Sequence, residues 1–235
     1  MEQNQFCCAV IAAAGNSTRM GLDCPKQFLP LLGVPVIVRT LAAFDRAETV
    51  SAAVVVCRPE DTARMRGLLR EWKIRKVCAV VPGGESRQES VAAGLEAIPP
   101  ETDCVAVHDG ARALIRPEEI DACVRDCFET GASALAVPVK DTIKVADARR
   151  RVLSTPDRSA LWAVQTPQVF ERAVYLRALE EAKRRGGDYT DDCQLAERIG
   201  VPVHLCEGSY ENIKLTTPED LCLAEEILKK RGEHS

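Results

Sequence analysis

The chain is poor in histidine, with 3, and in aromatic residues, which make up 4% of its 235 residues. It contains no C-x-x-C pair, and neither its histidines (His108, His204, His234) nor its 11 cysteines follow the spacing of a sequence-local zinc site. The longest apolar run, Phe6 to Ala14, is far short of the roughly 18–20 residues that cross a bilayer, so no membrane span is expected. Positive charge is not in excess either. With 31 Lys and Arg against 35 Asp and Glu the net charge is −4, which leaves no global field to attract a nucleic-acid backbone. The opening Met-Glu-Gln-Asn-Gln lacks the cationic start of an export signal, although Ala12-Ala13-Ala14 resembles a small-residue cleavage site. Also missing are the G-x-G-x-x-G dinucleotide loop, the G-x-x-x-x-G-K-[ST] Walker loop, internal repeats and glycine-serine linkers. What is present is ordinary globular composition, 46% apolar and 28% charged, with thiols best read as free in a reducing cytoplasm.

Short β-branched apolar runs alternate with longer amphipathic stretches, the pattern of an α/β fold with a mostly parallel sheet between helices. Strands are predicted at 8–13, 52–57, 76–81, 104–108, 133–139 and 202–206, the first four as buried hydrophobic runs. Helices are predicted at 35–45, 59–72, 86–98, 117–130, 171–185, 192–199 and 218–230. Thr217-Pro218-Glu219-Asp220 supplies an N-cap, a proline at the first helical position and acids at the positive end of the dipole. The length predicts one domain over 1–235. Within it, 140–165 breaks the alternation: extended pieces at 142–145 and 151–154 flank a polar turn, which reads as a β-hairpin arm too polar to fold alone. Such an arm is expected to pack on a partner subunit.

The chemistry concentrates at strand ends. After the first strand, Ala13-Ala14-Gly15-Asn16-Ser17-Thr18-Arg19 and Pro25-Lys26-Gln27 offer backbone N–H groups and two cations to a polyphosphate. A second glycine turn, Gly83-Gly84-Glu85-Ser86, leads into a helix, and in a parallel sheet both turns open onto the carboxyl edge where ligands bind. Ser86 with Glu89 reads equally as a capping box, whereas Ser90, one turn further in, is not explained by capping. The fourth strand ends in His108-Asp109-Gly110-Ala111-Arg112. Asp109 is placed there to hold Mg²⁺ or a substrate hydroxyl, and His108, pointing to the opposite face, is expected to be structural. Taken singly, Asp141-Thr142, Asp157-Arg158, Gln165-Thr166-Pro167-Gln168, Thr190-Asp191-Asp192 and Asn212-Ile213-Lys214 read as caps and turns.

Together, and in this order, these segments resemble the 2-C-methyl-D-erythritol 4-phosphate cytidylyltransferases over nearly the whole chain, with Leu161-Trp162 adding to the match. The resemblance implies a Rossmann-like nucleotidyltransferase fold and a homodimer joined through the arm. It also implies transfer of CMP from CTP to methylerythritol phosphate with Mg²⁺ and release of pyrophosphate. Carried over by motif, Arg19 and Lys26 would stabilise phosphate charge, and Arg158 and Lys214 would position the sugar phosphate. Ala12, Ala13, Ala14, Gly15, Gly84, Glu85, Ser90 and Gly110 would hold base, ribose and phosphates; Asp109, Arg112, Thr142, Thr166 and Thr190 would contact methylerythritol phosphate. A phosphate monoester is already nucleophilic at neutral pH, so alignment and electrostatics suffice without a catalytic base. A cytidylyltransferase acting on ribitol 5-phosphate shares several motifs, but its first loop reads Ala-Gly-Gly where this chain has Ala13-Ala14-Gly15. A non-catalytic nucleotide-binding module on the same fold is the other alternative.

Overall fold

The first strand, β1 (Cys7–Ala13), shows how the sequence builds the core. Its residues alternate between two apolar layers: Cys7, Ala9, Ile11 and Ala13 enter one and Cys8 and Val10 the other, as a strand covered on both faces requires. The structure, a computed structural model, describes residues 5–15, 25–186 and 189–233. After β1, β2 (Pro30–Leu31) and β3 (Val34–Pro35) form a small ribbon before α1 (Val36–Arg46). Then β4 (Val50–Cys57), α2 (Thr62–Glu71), β5 (Val77–Pro82), α3 (Arg87–Glu96) and β6 (Cys104–Asp109) complete a parallel half-sheet. The second half begins with α4 (Pro117–Thr130) and β7 (Ala132–Pro138), and the short pair β8 (Val145–Ala146) and β9 (Val152–Ser154) then leaves the sheet. The chain returns in β10 (Trp162–Glu171) and closes with α5 (Arg172–Arg185), α6 (Cys193–Arg198), β11 (His204–Glu207) and α7 (Pro218–Lys230).

The main sheet has seven strands in the order β11-β7-β10-β6-β1-β4-β5. All neighbours are parallel except β10, which runs antiparallel to both β6 and β7. Helices α1, α2 and α4 cover one face through Ile37, Leu41, Phe44, Met65, Ile120 and Val124. The other is covered by α3, α5 and α6 through Val91, Leu95, Tyr175, Leu179 and Leu195. From β1 the order steps outward to β4 and β5 on one side, while β6 adds on the other. The reversal between β1 and β6 opens a crevice beyond their carboxyl ends.

Two expectations change. The run predicted at 76–81 is β5, and it lies at the sheet edge with Cys78 exposed and only Val80 fully buried, so it is not a core strand. Sequence periodicity also passed over β10, a ten-residue strand, because Gln165-Thr166-Pro167-Gln168 interrupts it with polar residues and a proline. The structure accommodates this by a register shift between Val164 and Gln168, so Pro167 falls where no ladder bond is needed. Trp162 to Val164 therefore pair with β7 in the main sheet, and the excursion occupies the residues before them.

Candidate active site

The carboxyl ends of β1, β4, β5 and β6 enclose a cavity of ≈ 440 Å³. Backbone geometry brings the two glycine-bearing turns together. The Gly83 N–H donates to the Cys57 carbonyl at 2.8 Å, and a Cβ on Gly83 would lie 2.6 Å from the Ala14 Cβ and 2.7 Å from Ser90 Oγ. Only glycine permits that approach. The Gly110 N–H donates to the Ala12 carbonyl at 2.9 Å, and a Cβ there would meet Ile37 Cδ1 at 2.9 Å. Gln27 Nε2 donates to the Ala13 carbonyl at 3.1 Å, tying the segment around Lys26 to the end of β1. Ser86 and Glu89 form the reciprocal capping box at the start of α3, with Glu89 Oε2 accepting from the Glu85 N–H at 2.8 Å. Ser90 is buried behind that turn, its Oγ 3.5 Å from the Gly84 carbonyl.

Charge centres on Asp109, 9% exposed at the tip of β6. Lys214 Nζ lies 2.9 Å from its Oδ2, Arg112 Nε 3.7 Å from the same oxygen, and Arg87 Nε 3.9 Å from Oδ1. Burial alone would raise the Asp109 pKa, but Lys214, Arg87 and Arg112 outweigh it and hold the carboxyl at about 2. It is ionised at any physiological pH. Arg87 is itself fixed by Asp192 at 2.6 Å, and Asp192 accepts from the Tyr175 hydroxyl, also at 2.6 Å. Burial works against the Arg87 charge, yet Asp192 and Asp109 more than offset it, so its pKa is raised. Arg112 donates to the Asn212 carbonyl at 2.7 Å, which links β6 to the segment carrying Lys214.

His108 is structural, as its strand position predicts. Its ring is buried, 4.9 Å from Phe44, with Nε2 3.4 Å from the Arg112 carbonyl and Nδ1 3.0 Å from Thr166 Oγ1. A carbonyl only accepts, so Nε2 carries the proton and Nδ1 accepts from the threonine hydroxyl. Burial lowers the imidazole pKa to about 3, which keeps the ring neutral. The same Thr166 Oγ1 accepts from the Asp109 N–H at 3.1 Å. Thr166 thus sets the end of β6 from behind the carboxylate.

Of the residues singled out from sequence, Ala12, Ala13, Ala14, Gly15, Lys26, Gly84, Glu85, Ser90, Asp109, Gly110 and Lys214 line the cavity. Arg112 and Thr166 stand directly behind Asp109. Arg19 lies outside the described residues, as does Ser17. Thr142 and Arg158 lie on the excursion, both exposed, with Arg158 donating to the Lys140 carbonyl at 3.0 Å. Thr190 is exposed and accepts from Gln194 Nε2 at 2.6 Å, two residues from the buried Asp192. Sequence reasoning did not assign Arg58, Glu60, Ser86 or Arg87 to the site, yet all line it. A signal existed for Arg58 and Glu60: they follow β4, which pairs with β1, so its carboxyl end opens onto the same edge.

Comparison with known proteins agrees with this geometry. The family model for 2-C-methyl-D-erythritol 4-phosphate cytidylyltransferase matches residues 7–230. The protein of that name from Desulforamulus reducens is 46% identical, covering 95% of this chain and 96% of its own. The one from Geobacillus kaustophilus is 48% identical over 95% and 97%. Among solved structures, the 4-diphosphocytidyl-2C-methyl-D-erythritol synthase of Anaerococcus prevotii superposes with a TM-score of 0.86 at 28% identity, covering 97% of this chain and 100% of that one. The cytidylyltransferase of Thermus thermophilus gives 0.75 at 32% identity, over 94% and 98%. With the fold, the cation-lined crevice and a match over residues 7–230 in agreement, the chain belongs to the 2-C-methyl-D-erythritol 4-phosphate cytidylyltransferase family.

Proposed function

We propose that this chain transfers CMP from CTP to 2-C-methyl-D-erythritol 4-phosphate, releasing pyrophosphate, in the cavity at the ends of β1, β4, β5 and β6. The observation that carries the reading is the convergence of Lys26, Arg87, Arg112 and Lys214 on a glycine-lined crevice around an ionised Asp109. His108, the one histidine beside the crevice among the described residues, is fully buried, its accepting Nδ1 is taken by Thr166 and its pKa is lowered to about 3, so it does not act as a general base. The chemistry fits that inventory. The acceptor's phosphate monoester is an anion at neutral pH and attacks the α-phosphorus directly. The protein's task is to align it and neutralise the charge that builds on the pentavalent phosphorus and the leaving pyrophosphate.

In this reading the Ala12–Gly15 backbone and the Gly84-Glu85 turn hold the nucleotide. Lys26, with Arg19, neutralises the phosphates, Lys214 and Arg112 hold the acceptor phosphate, and Asp109 accepts from an acceptor hydroxyl. The donor set suits Mg²⁺ carried in by the triphosphate. Asp109, already paired by three cations, would add at most one ligand, and the substrate phosphates would supply the main ones, as is common for Mg²⁺. The ion would supply charge neutralisation on those phosphates.

Arg158 and Thr142 reach an active site through a second copy of the chain. The excursion carries exposed Ile143, Val145, Val152 and Leu153, the last 66% exposed, an apolar surface that a two-fold partner would cover. The ten described cysteines are all free thiols, which suits a reducing cytoplasm. The test is pyrophosphate release from CTP and Mg²⁺ with methylerythritol phosphate or ribitol 5-phosphate as acceptor. Release with the first alone, and with CTP strongly preferred over ATP and UTP in competition, is expected. Preference for ribitol phosphate, or equal use of the three nucleotides, overturns the assignment.

A further inference from the structure

On the far side of the sheet from the crevice's β5 edge, the other edge strand, β11, carries His204 and Cys206 two residues apart, hence on one face. That face is the one α4 covers: Cys206 packs against the core layer containing Cys123, while the intervening Leu205 packs into the opposite layer. On α4, Asp126 lies one turn after Cys123, so both point toward β11. His204 Nδ1 sits 2.7 and 2.8 Å from the two Asp126 carboxylate oxygens. One ligand atom each from Asp126, His204 and Cys206 lie within 4.8 Å of one another. The Cys123 thiol, one turn before Asp126, is itself held by Ser133 Oγ at 3.4 Å and the Pro167 carbonyl at 3.6 Å.

We propose that Asp126, His204 and Cys206 form a three-residue binding site for a borderline-soft divalent cation of the zinc type, the fourth position being left to water. Carboxylate, imidazole and thiolate are the donors such an ion takes. Zn–N bonds of roughly 2.0–2.1 Å and Zn–S bonds of about 2.3 Å in tetrahedral geometry set nitrogen and sulfur about 3.6 Å apart, so closing the cluster needs about an ångström of side-chain movement. Thiolate selects this ion over the Mg²⁺ that accompanies nucleotides. The contrast with Asp109 supports the assignment: three protein cations crowd Asp109, whereas Asp126 has no lysine or arginine ion-pair partner among the described residues. Binding would release the thiol proton to solvent. A cation there would tie the edge strand to α4. The sequence conceals the site because its halves, Asp126 on a helix and H-x-C on a strand, are 78 residues apart at the Asp126–His204 contact.

Metal-stripped full-length protein, without nucleotide, is titrated with Co²⁺ and then Zn²⁺. The proposal requires one Co²⁺ per chain with a thiolate-to-cobalt charge-transfer band, displaced by Zn²⁺. His204→Ala, at an exposed position that leaves the fold intact, and Cys206→Ser should each weaken binding by at least 10–100-fold, the loss already caused by removing a ligand's outer partner. A triple Cys24→Ser, Cys78→Ser, Cys222→Ser variant should keep the band. Zn²⁺ at about 100 times its Kd should raise Tm by about 5–10 °C in the wild type, and by less than about 1 °C in His204→Ala. No charge-transfer band in the wild type, or a band that survives His204→Ala and disappears in the triple variant, overturns the site.

Discussion

The crevice and the arm are both rich in charge, but they hold it differently. In the crevice the cations around Asp109 are fixed by partners far along the chain, Arg87 by Asp192, 105 residues away, and Arg112 by the Asn212 carbonyl, 100 away, whereas Arg58 at the rim bonds the nearby Asp61. Along the arm the hydrogen-bond partners are close in sequence, Arg151 with Asp147 at a separation of 4, Lys144 with Thr155 at 11 and Arg158 with the Lys140 carbonyl at 18, and only at its base does Lys140 reach a distant group, the Tyr210 ring at 3.4 Å. Apolar residues divide the same way, buried around the crevice but exposed on the arm, where Val152 is 60% exposed. The crevice is therefore preorganised by the whole fold, as charge stabilisation demands. A two-stranded ribbon held only by local contacts is marginal in water and gains its geometry from what it packs against.

Four measurements break or sharpen this contrast. The largest effect belongs to the crevice: Lys26→Ala or Lys214→Ala should lower kcat by roughly 10²–10³ with the circular dichroism spectrum unchanged. A fall below about threefold, far under that range, removes these side chains from the charge-stabilising role. The second measurement asks whether the arm serves the neighbouring crevice. Arg19→Ala and Arg158→Ala chains, unfolded and refolded together, should give half mixed dimers, each with one site carrying both lesions and one carrying neither. Activity then recovers to roughly a quarter of wild type. A mixture no more active than its parents shows that Arg158 serves its own chain.

Acid stability gives a smaller effect and concerns the crevice alone. The His108 pKa is depressed to about 3 by burial in the folded state, so below the unfolded value near 6.5 the unfolded chain binds the extra proton. Stability therefore falls as pH drops from about 6.5 to about 3, by at most about 1.4 kcal/mol per pH unit. Asp109, held at about 2, adds a second decline below about pH 4, where the unfolded carboxyl takes up its proton first. Imidazole NMR at pH 5 should show the His108 ring neutral and protonated on Nε2; a ring titrating near 6.5 contradicts its burial between Thr166 and the Arg112 carbonyl. The smallest effect is on the arm. Val152→Ser with Leu153→Ser should change the unfolding free energy of the dilute monomer by less than about 0.5 kcal/mol, while sedimentation at higher concentration shows loss of the dimer. A large loss of monomer stability would mean that the arm has tertiary support of its own.

Helix boundaries were legible because their signals are local. The stretch at 117–130 is helical as predicted, with proline at its start and Gly131 at a left-handed C-cap, φ 85°. The 218–230 helix likewise begins at its Thr217–Asp220 capping box. Strand existence was legible wherever apolar runs were unbroken, and it failed at β10, whose polar centre packs Gln165, Thr166 and Gln168 inside the fold. There the side chains serve tertiary hydrogen bonds, as when Gln168 Oε1 accepts from the Asp192 N–H at 2.9 Å. No periodicity reports that.

By itself, the sequence determined that this is an α/β chain with glycine-bearing turns at its first and third strand ends, a carboxylate at the fourth and a polar arm. These follow from patterns within a few residues to a few turns, where propensity, capping and apolar alternation act. Only the tertiary structure decided which charges meet: that Arg87 joins Asp109 to Asp192, that Arg58 and Glu60 enter the crevice, and that His204 and Cys206 face Asp126. Those meetings depend on strand order, with β1 between β6 and β4 and an antiparallel β10 between β6 and β7. Strand order is set by how the whole chain buries its apolar faces, and a local stretch of sequence carries no record of which distant stretch it will lie beside.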